Sequence, residues 1–188
     1  WIRRSDLAFV NLETPLTTRR PVMARRWPIV TDPSRLGWLL SAGFNLFSLA
    51  NNHTHDAGDH GVADTLTAME AARADGHSLW WAGAARHKDD AYRVTLIKPD
   101  GKDVTIAFVA FGEARTALVP RPGTEEALAL VTEAAAVADV VIVSAHSGRE
   151  YRHVPRAHRA ERFRRFIDAG ADVVLGHHPH VVQGVEAY

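Results

Sequence analysis

Short runs of consecutive apolar residues alternate along this chain with longer stretches in which apolar positions recur every three or four residues. The first pattern marks buried strands and the second marks helices lying on a sheet. Leu7-Ala8-Phe9-Val10 opens the series as a strand. Asp32-Pro33-Ser34 signals a helix start, and Leu36, Leu39 and Leu40 follow at helical spacing until Gly43 stops them. Residues 44–50 read as a second strand, and Val62, Leu66, Met69 and Ala72 place a helix over 61–74. A third strand covers 79–82. Residues 92–97 and 104–111 flank the polar turn Pro99-Asp100-Gly101-Lys102, which is a hairpin pattern. A helix over 125–138, a strand over 140–144, a helix over 156–169 and a strand over 173–175 complete the chain.

Strand and helix in repeated alternation predict an α/β layered fold with a mostly parallel centre. Neither a repeat nor a linker divides the sequence, so one domain is expected over residues 1–188. Hydrophobic residues at 46% and charged residues at 23% suit a folded domain of this size. Lys plus Arg and Asp plus Glu both number 22, a balance that argues against a nucleic-acid partner. Two local basic runs, Arg19, Arg20, Arg25, Arg26 and Arg159, Arg162, Arg164, Arg165, read as a solvated loop and a solvated helix face. The absence of cysteine excludes disulfides, thiolate zinc sites and a cysteine nucleophile. No apolar run reaches the roughly 18 residues that span a bilayer. The five tryptophans read mainly as packing anchors. In a strand only one of Trp80 and Trp81 faces inward, and the outward ring is a candidate contact for substrate or partner.

Histidine changes the picture, with 11 copies, several of them clustered. Ligand chemistry in α/β folds gathers beyond the carboxyl ends of the strands. Four expected strands run into polar segments there: Asn11-Leu12-Glu13, Asn51-Asn52-His53-Thr54-His55-Asp56, His146-Ser147-Gly148-Arg149-Glu150, and Gly176-His177-His178-Pro179-His180. Taken singly, an Asn pair is a common turn and a lone His a common structural residue. Four such segments on one rim of a sheet point to a metal site. His178 and His180, two apart in an extended segment, would present both imidazoles to one centre. Carboxylate, amide oxygen and imidazole suit Mn, Fe, Zn or Mg rather than a thiolate metal. Two divalent metal ions held this way form a familiar clamp for phosphate-ester hydrolysis.

These motifs resemble the calcineurin-like metallophosphoesterases, and within them the CapA, poly-gamma-glutamate capsule-synthesis family. The resemblance rests on Asp6 through Leu16, on Leu49-Ala50-Asn51-Asn52-His53 with Asp56, on Ala145 through Tyr151, and on Gly170 through Glu186. It implies a layered sandwich of mixed β-sheets flanked by helices. By position, Glu13 is implied as a bridging carboxylate, with Asn52, His146, His178 and His180 as terminal ligands. His53 is implied as the general acid, oriented by Asp56, while His177 is left out as a ligand. Ser147 stands where the family usually has Trp, which would open that wall of the pocket. The family pattern also has a carboxylate-bearing strand before Leu7 and further strands after Gly184, so an internal fragment is expected. The implied function is a dinuclear metal hydrolase acting on a phosphoester or related bond of a small-molecule or polymer substrate. Association with membrane-associated capsule machinery, and a place at the cell envelope, would follow only through segments outside this chain. Two other readings stand beside it: a non-catalytic capsule assembly factor, and a mononuclear site needing only His146, His178 and His180.

Overall fold

Strands with consecutive apolar residues need cover on both faces. In the computed structural model, which describes residues 2–22 and 27–188, that cover comes as four layers: helix, sheet, sheet, helix. Trp1, Arg25 and Arg26 lie outside the described residues. The first sheet is parallel throughout, with β1 (Phe9–Asn11), β2 (Leu46–Ser48) and β3 (Trp80–Ala82) side by side in that order. Helices α1 (Leu36–Ala42) and α2 (Gly58–Ala74) cover its outer face, where Leu36, Val62, Leu66 and Met69 bury Phe47. The start signal acts on a 3-10 turn, Pro33–Arg35, that leads directly into α1, and the stop signal acts on α1 itself. The Asp32 carboxylate accepts the Ser34 N–H at 2.9 Å, and Gly43 leaves the helix in the left-handed region at φ 103°.

The second sheet is mixed. β4 (Thr95–Ile97) runs antiparallel to β5 (Ile106–Gly112), and β6 (Val140–His146) and β7 (Val173–His177) continue in parallel. Its outer face is covered by α3 (Glu125–Val137) and α4 (Ala157–Asp168), with Phe166 stacked on Phe111 at 5.2 Å. The inner faces of the two sheets enclose Leu46, Ala82, Ile97, Phe108 and Ala110. This is the α/β layered fold that the residue pattern predicts, with the mixed sheets flanked by helices that the resemblance implies, and it is consistent with a metallophosphoesterase-like fold.

Differences from the predicted elements have local causes. β6 and β7 run two residues beyond their apolar stretches, because His146 and His177 pair in register and continue the parallel ladder. Helix α2 begins three residues early, at Gly58, with no side-chain cap to announce it. Neither Trp80 nor Trp81 faces outward. Trp81 packs towards α2 with the Arg73 guanidinium 4.2 Å from its ring, and Trp80 packs between the sheets. A strand inside four layers has no solvent face, so alternation separates the rings without exposing either.

The last residue of β5 is pressed against the loop that follows β2. A Cβ added at Gly112 would lie 2.5 Å from the Ala50 carbonyl carbon and 2.7 Å from the Asn51 nitrogen, both backbone atoms. Gly112→Ala is therefore expected to cost about 1–3 kcal/mol of unfolding free energy. Gly37→Ala, in α1 with nothing within 4 Å of the new methyl, is expected to gain up to about 1 kcal/mol. Urea midpoints at unchanged slope would measure both, and equal midpoints for the two variants would refute the close approach.

Candidate metal centre

The two sheets are joined at the carboxyl ends of their strands. The Ser144 hydroxyl in β6 donates to the Ser48 hydroxyl in β2 at 2.8 Å, and neither side chain is exposed. Beyond this seam the polar segments begin. Asn51, completely buried, binds the loop after β1 to the loop after β2: its amide donates to Leu12 O at 2.8 Å and Asn11 Oδ1 at 3.4 Å. Its oxygen accepts the His53 N–H and the Thr54 hydroxyl, both at 3.1 Å. Asn11 in turn donates to Glu13 Oε2 at 3.0 Å, which fixes that carboxylate over the seam. Asn51 and Asn11 were not singled out by sequence reasoning. Their signal is the double Asn at a strand end, where one amide must satisfy buried backbone before the next can point outward.

Asn52, Glu13 and His178 converge on a single nitrogen. His146 Nε2 lies 2.8 Å from Asn52 Oδ1, 3.1 Å from His178 Nδ1 and 3.3 Å from Glu13 Oε1. An imidazole nitrogen carries one proton or one lone pair, so it can satisfy one of these three neighbours and no more. The amide oxygen and the carboxylate are acceptors only, once Glu13 is ionised. His146 is 1% exposed, and its other nitrogen has no hydrogen-bond partner among the described residues. A buried surplus of lone pairs is the arrangement that a cation satisfies, and the donor set of carboxylate, amide oxygen and imidazole fits a divalent metal.

The charge states suit that fit. Burial alone would raise the Glu13 carboxyl, but the hydrogen bond with His146 and the charges of His146, His180 and His53 hold it below its usual value. Burial, and then His146, lower the His178 ring against the opposing pull of Glu13 and Glu150. A carboxylate kept ionised and an imidazole kept neutral are the forms that ligate metals.

His180 approaches less closely, its Nε2 4.0 Å from Glu13 Oε1 and its side chain 46% exposed. The route by which it arrives differs from the expected one. β7 ends at His177, and His178 and His180 both adopt left-handed backbone, at φ 96° and 55°. A turn, not an extended strand, sets their rings 6.0 Å apart. The same turn brings in a residue not predicted as a ligand: Glu150, His178 and His180 offer ligand atoms within 4.8 Å of one another, as do Glu13, His146 and His178. His178 belongs to both groups. Glu150 was hidden in the sequence because it precedes the His178 turn by 28 positions on a different loop.

His53 Nδ1 lies 2.6 Å from the Asp56 carboxylate, which is buried and also accepts the Ile29 N–H at 2.8 Å. His177 points inward, away from these groups. Its Nε2 meets the Ser144 hydroxyl at 2.9 Å and its ring packs on Phe9 at 5.5 Å. It belongs to the seam. Ser147 is 1% exposed, so the residue that stands in place of the usual Trp faces the interior.

The sequence matches the bacterial capsule synthesis protein family, PGA_cap, over residues 1–188. The chain belongs to this family. It is similar to the PGA biosynthesis protein CapA of Bacillus subtilis (strain 168), with 31% identity over 201 residues covering 99% of this chain and 50% of that protein. It is 33% identical over 158 residues to the capsule biosynthesis protein CapA of Bacillus anthracis, covering 78% of this chain and 37% of that one. A probable polyglutamine synthesis accessory protein of Mycobacterium tuberculosis is 27% identical, over 98% of this chain and 52% of its own length. The chain thus spans about half the length, or less, of the curated relatives it matches.

The buried position of His177 has a consequence for stability in this PGA_cap chain. Burial, then the neighbouring His146, lower its ring from 6.5 to about 4. Between those values the unfolded chain binds a proton that the folded chain refuses, so stability complete above pH 6.5 is lost as pH falls towards 4. The loss is expected to be on the order of 2–3 kcal/mol. Denaturation of the chelator-treated protein across this range, beside His177→Gln, would measure it, and equal slopes would remove His177 as the source.

Proposed function

We propose that this chain carries a metal-dependent hydrolase centre for a phosphoester or related bond, within a protein of capsule or polyglutamate synthesis. The observation that carries the reading is the meeting of Glu13, Asn52 and His178 on His146 Nε2, a cluster short of protons and rich in lone pairs. The names of the relatives, which refer to capsule, PGA and polyglutamine synthesis, supply the biological setting. We read residues 1–188 as one metallophosphoesterase-like domain, and a small-molecule or polymer substrate and membrane-associated synthesis machinery as its partners. Among the described residues no helix is long and apolar enough to cross a membrane.

In this reading Glu13, Asn52, His146, His178 and His180 would be the ligands that this chain offers to two divalent cations. Cations held there supply Lewis acidity towards a phosphoryl oxygen and towards the attacking water. The rest of the chemistry belongs to the side chains. Asp56, fixed by the Ile29 N–H, faces His53 Nδ1 and orients the ring. The opposite nitrogen, Nε2, then passes a proton to the leaving oxygen. This carboxylate–imidazole pair favours a hydrolase over a non-catalytic assembly factor, because a purely structural cation needs no oriented acid beside it. The compactness of the inner group, all on one nitrogen, favours a second version with one tightly held cation, and metal counting separates the two.

In the full-length protein, His53→Ala is expected to retain metal and to lose about 10²–10⁴ in rate on an ester with a poor leaving group. Aryl phosphates, whose leaving groups need no proton, should lose far less. An equal loss on both would remove His53 from the acid role. His146→Ala is expected to lower bound metal, by elemental analysis, together with activity on every ester. Full metal content in that variant would refute the centre itself.

A further inference from the structure

The arginines near α4 fall into two groups. Along the helix, Arg164 pairs with Glu186 at 2.8 Å, Arg165 with Glu125 at 3.1 Å and Arg162 with Glu113 at 3.5 Å. These are the solvated, carboxylate-matched charges that a helix face is expected to carry. Where α4 begins, a cleft of about 540 Å³ opens between the helix and the loop that follows β6, and Arg149, Arg152, Arg156 and Arg159 line it. Among the described residues, no carboxylate lies within 4.0 Å of the guanidinium of Arg149, Arg152 or Arg156. The one acid in the lining, Glu113, is already paired with Arg162.

Arg159 is half-buried at the floor, where its guanidinium donates to the Ser147 carbonyl. Burial, with Arg162 and Arg156 opposing the pull of Glu113, presses it below the usual arginine range. The same loop is tied to the histidine turn. Tyr151 N donates to Pro179 O at 2.7 Å, Gln183 Nε2 to Arg152 O at 2.6 Å, and His153 Nδ1 to Val182 O at 3.2 Å. The cleft and the candidate metal centre therefore share one support, and Gly148 at its edge is two residues from His146.

Four guanidiniums on one concave wall repel one another until anions arrive, and each takes an oxyanion in a forked, charge-assisted bond. The cleft is within the size range of ligand sites and is much larger than a single carboxylate or phosphate group. We infer that it binds a polyvalent oxyanion, a chain of carboxylates or of phosphates, and presents that chain to the neighbouring metal centre. The presentation rests on the hydrolase reading, whereas the binding needs no metal.

The test uses full-length protein with chelator present, titrated by calorimetry with a gamma-linked glutamate oligomer, tripolyphosphate and a neutral glutamine oligomer. One or both anions are expected to bind and the neutral oligomer not to. Affinity should fall on raising salt from about 0.05 to 0.5 M, since exposed charges are screened over that range. Arg149→Gln/Arg152→Gln/Arg156→Gln is expected to weaken binding at least about tenfold, since exposed ion pairs are individually weak and three are lost together. Arg164→Gln/Arg165→Gln removes charge from the paired face and is expected to leave affinity unchanged. Tighter binding of the glutamate oligomer assigns the carboxylate chain, and tighter binding of tripolyphosphate assigns the phosphate chain. Binding of neither anion, or equal weakening in the two sets of variants, overturns the inference. His146→Ala keeps the two ideas apart: retained binding without hydrolysis supports both, while retained binding with retained hydrolysis sinks the metal reading alone.

Discussion

Two parallel-rich sheets lie face to face with strand ends on a common rim, and the buried Ser144–Ser48 hydrogen bond joins them there. Each sheet contributes half of the polar cluster. Glu13 and Asn52 follow strands of the first, whereas in the second His146 is the last residue of β6 and His178 follows β7. Asn52 and His146 are 94 positions apart in sequence and 2.8 Å apart in space, so their meeting is a product of sheet packing and not of any local motif. Close packing at the rim permits this. Gly112 lets β5 touch the backbone at Ala50 and Asn51, and Gly83 reaches the Ala50 side chain in the same way. A larger residue at either position would spread the sheets where the ligands must converge.

Polar groups this close to a core carry a cost unless each is matched. The seam meets the cost in layers. Ser48, Ser144 and His177 satisfy one another in a chain, and Asn51 spends its whole amide on backbone and on its neighbours. One step further out the matching stops, and His146 faces three partners with one nitrogen. The left-handed backbone at His178 and His180 points the same way, since non-glycine residues there cost about 1–3 kcal/mol each. Among the described residues the buried polar atoms without a partner are His55 Nδ1, His146 Nδ1 and Ser147 Oγ, all in the segments that follow β2 or end β6, and mismatch and strain at that rim mark the place where the fold gives up stability for function.

Much of this architecture was legible because its strands are buried on both sides and its helices are not. Among the described residues, continuous apolar runs against helical spacing located the seven strands and four α-helices, while Asp32 capped the 3-10 turn leading into α1 and Gly43 ended that helix. The strand ends were less legible, because a ladder continues through His146 and His177 by backbone pairing that hydropathy does not register. The four polar segments were visible as segments, and their shared rim followed from parallel topology. The division of labour within each was not. That Asn51 turns inward and Asn52 outward, that His177 serves the seam, and that Glu150 joins His178 and His180 all depend on contacts made across the two sheets.

The charge balance shows the same separation of local from global. A chain with 22 basic and 22 acidic residues argues against a broadly cationic surface, yet neutrality of the sum places no limit on a single cleft. What distinguishes Arg149, Arg152 and Arg156 at the mouth of α4 is that, among the described residues, they have no carboxylate partner, when the arginines further along the helix have found theirs. The loop that carries them begins at His146 and passes Gly148, whose backbone at φ 139° and missing side chain leave the space that the Arg159 guanidinium fills. Filling it ties Arg159 to the Ser147 carbonyl, one residue from the most buried imidazole of the cluster. A chain bound along the arginines would therefore be held by the same few residues that set the position of His146. The arginine cleft and the rim are thus carried by one continuous segment, residues 146–159.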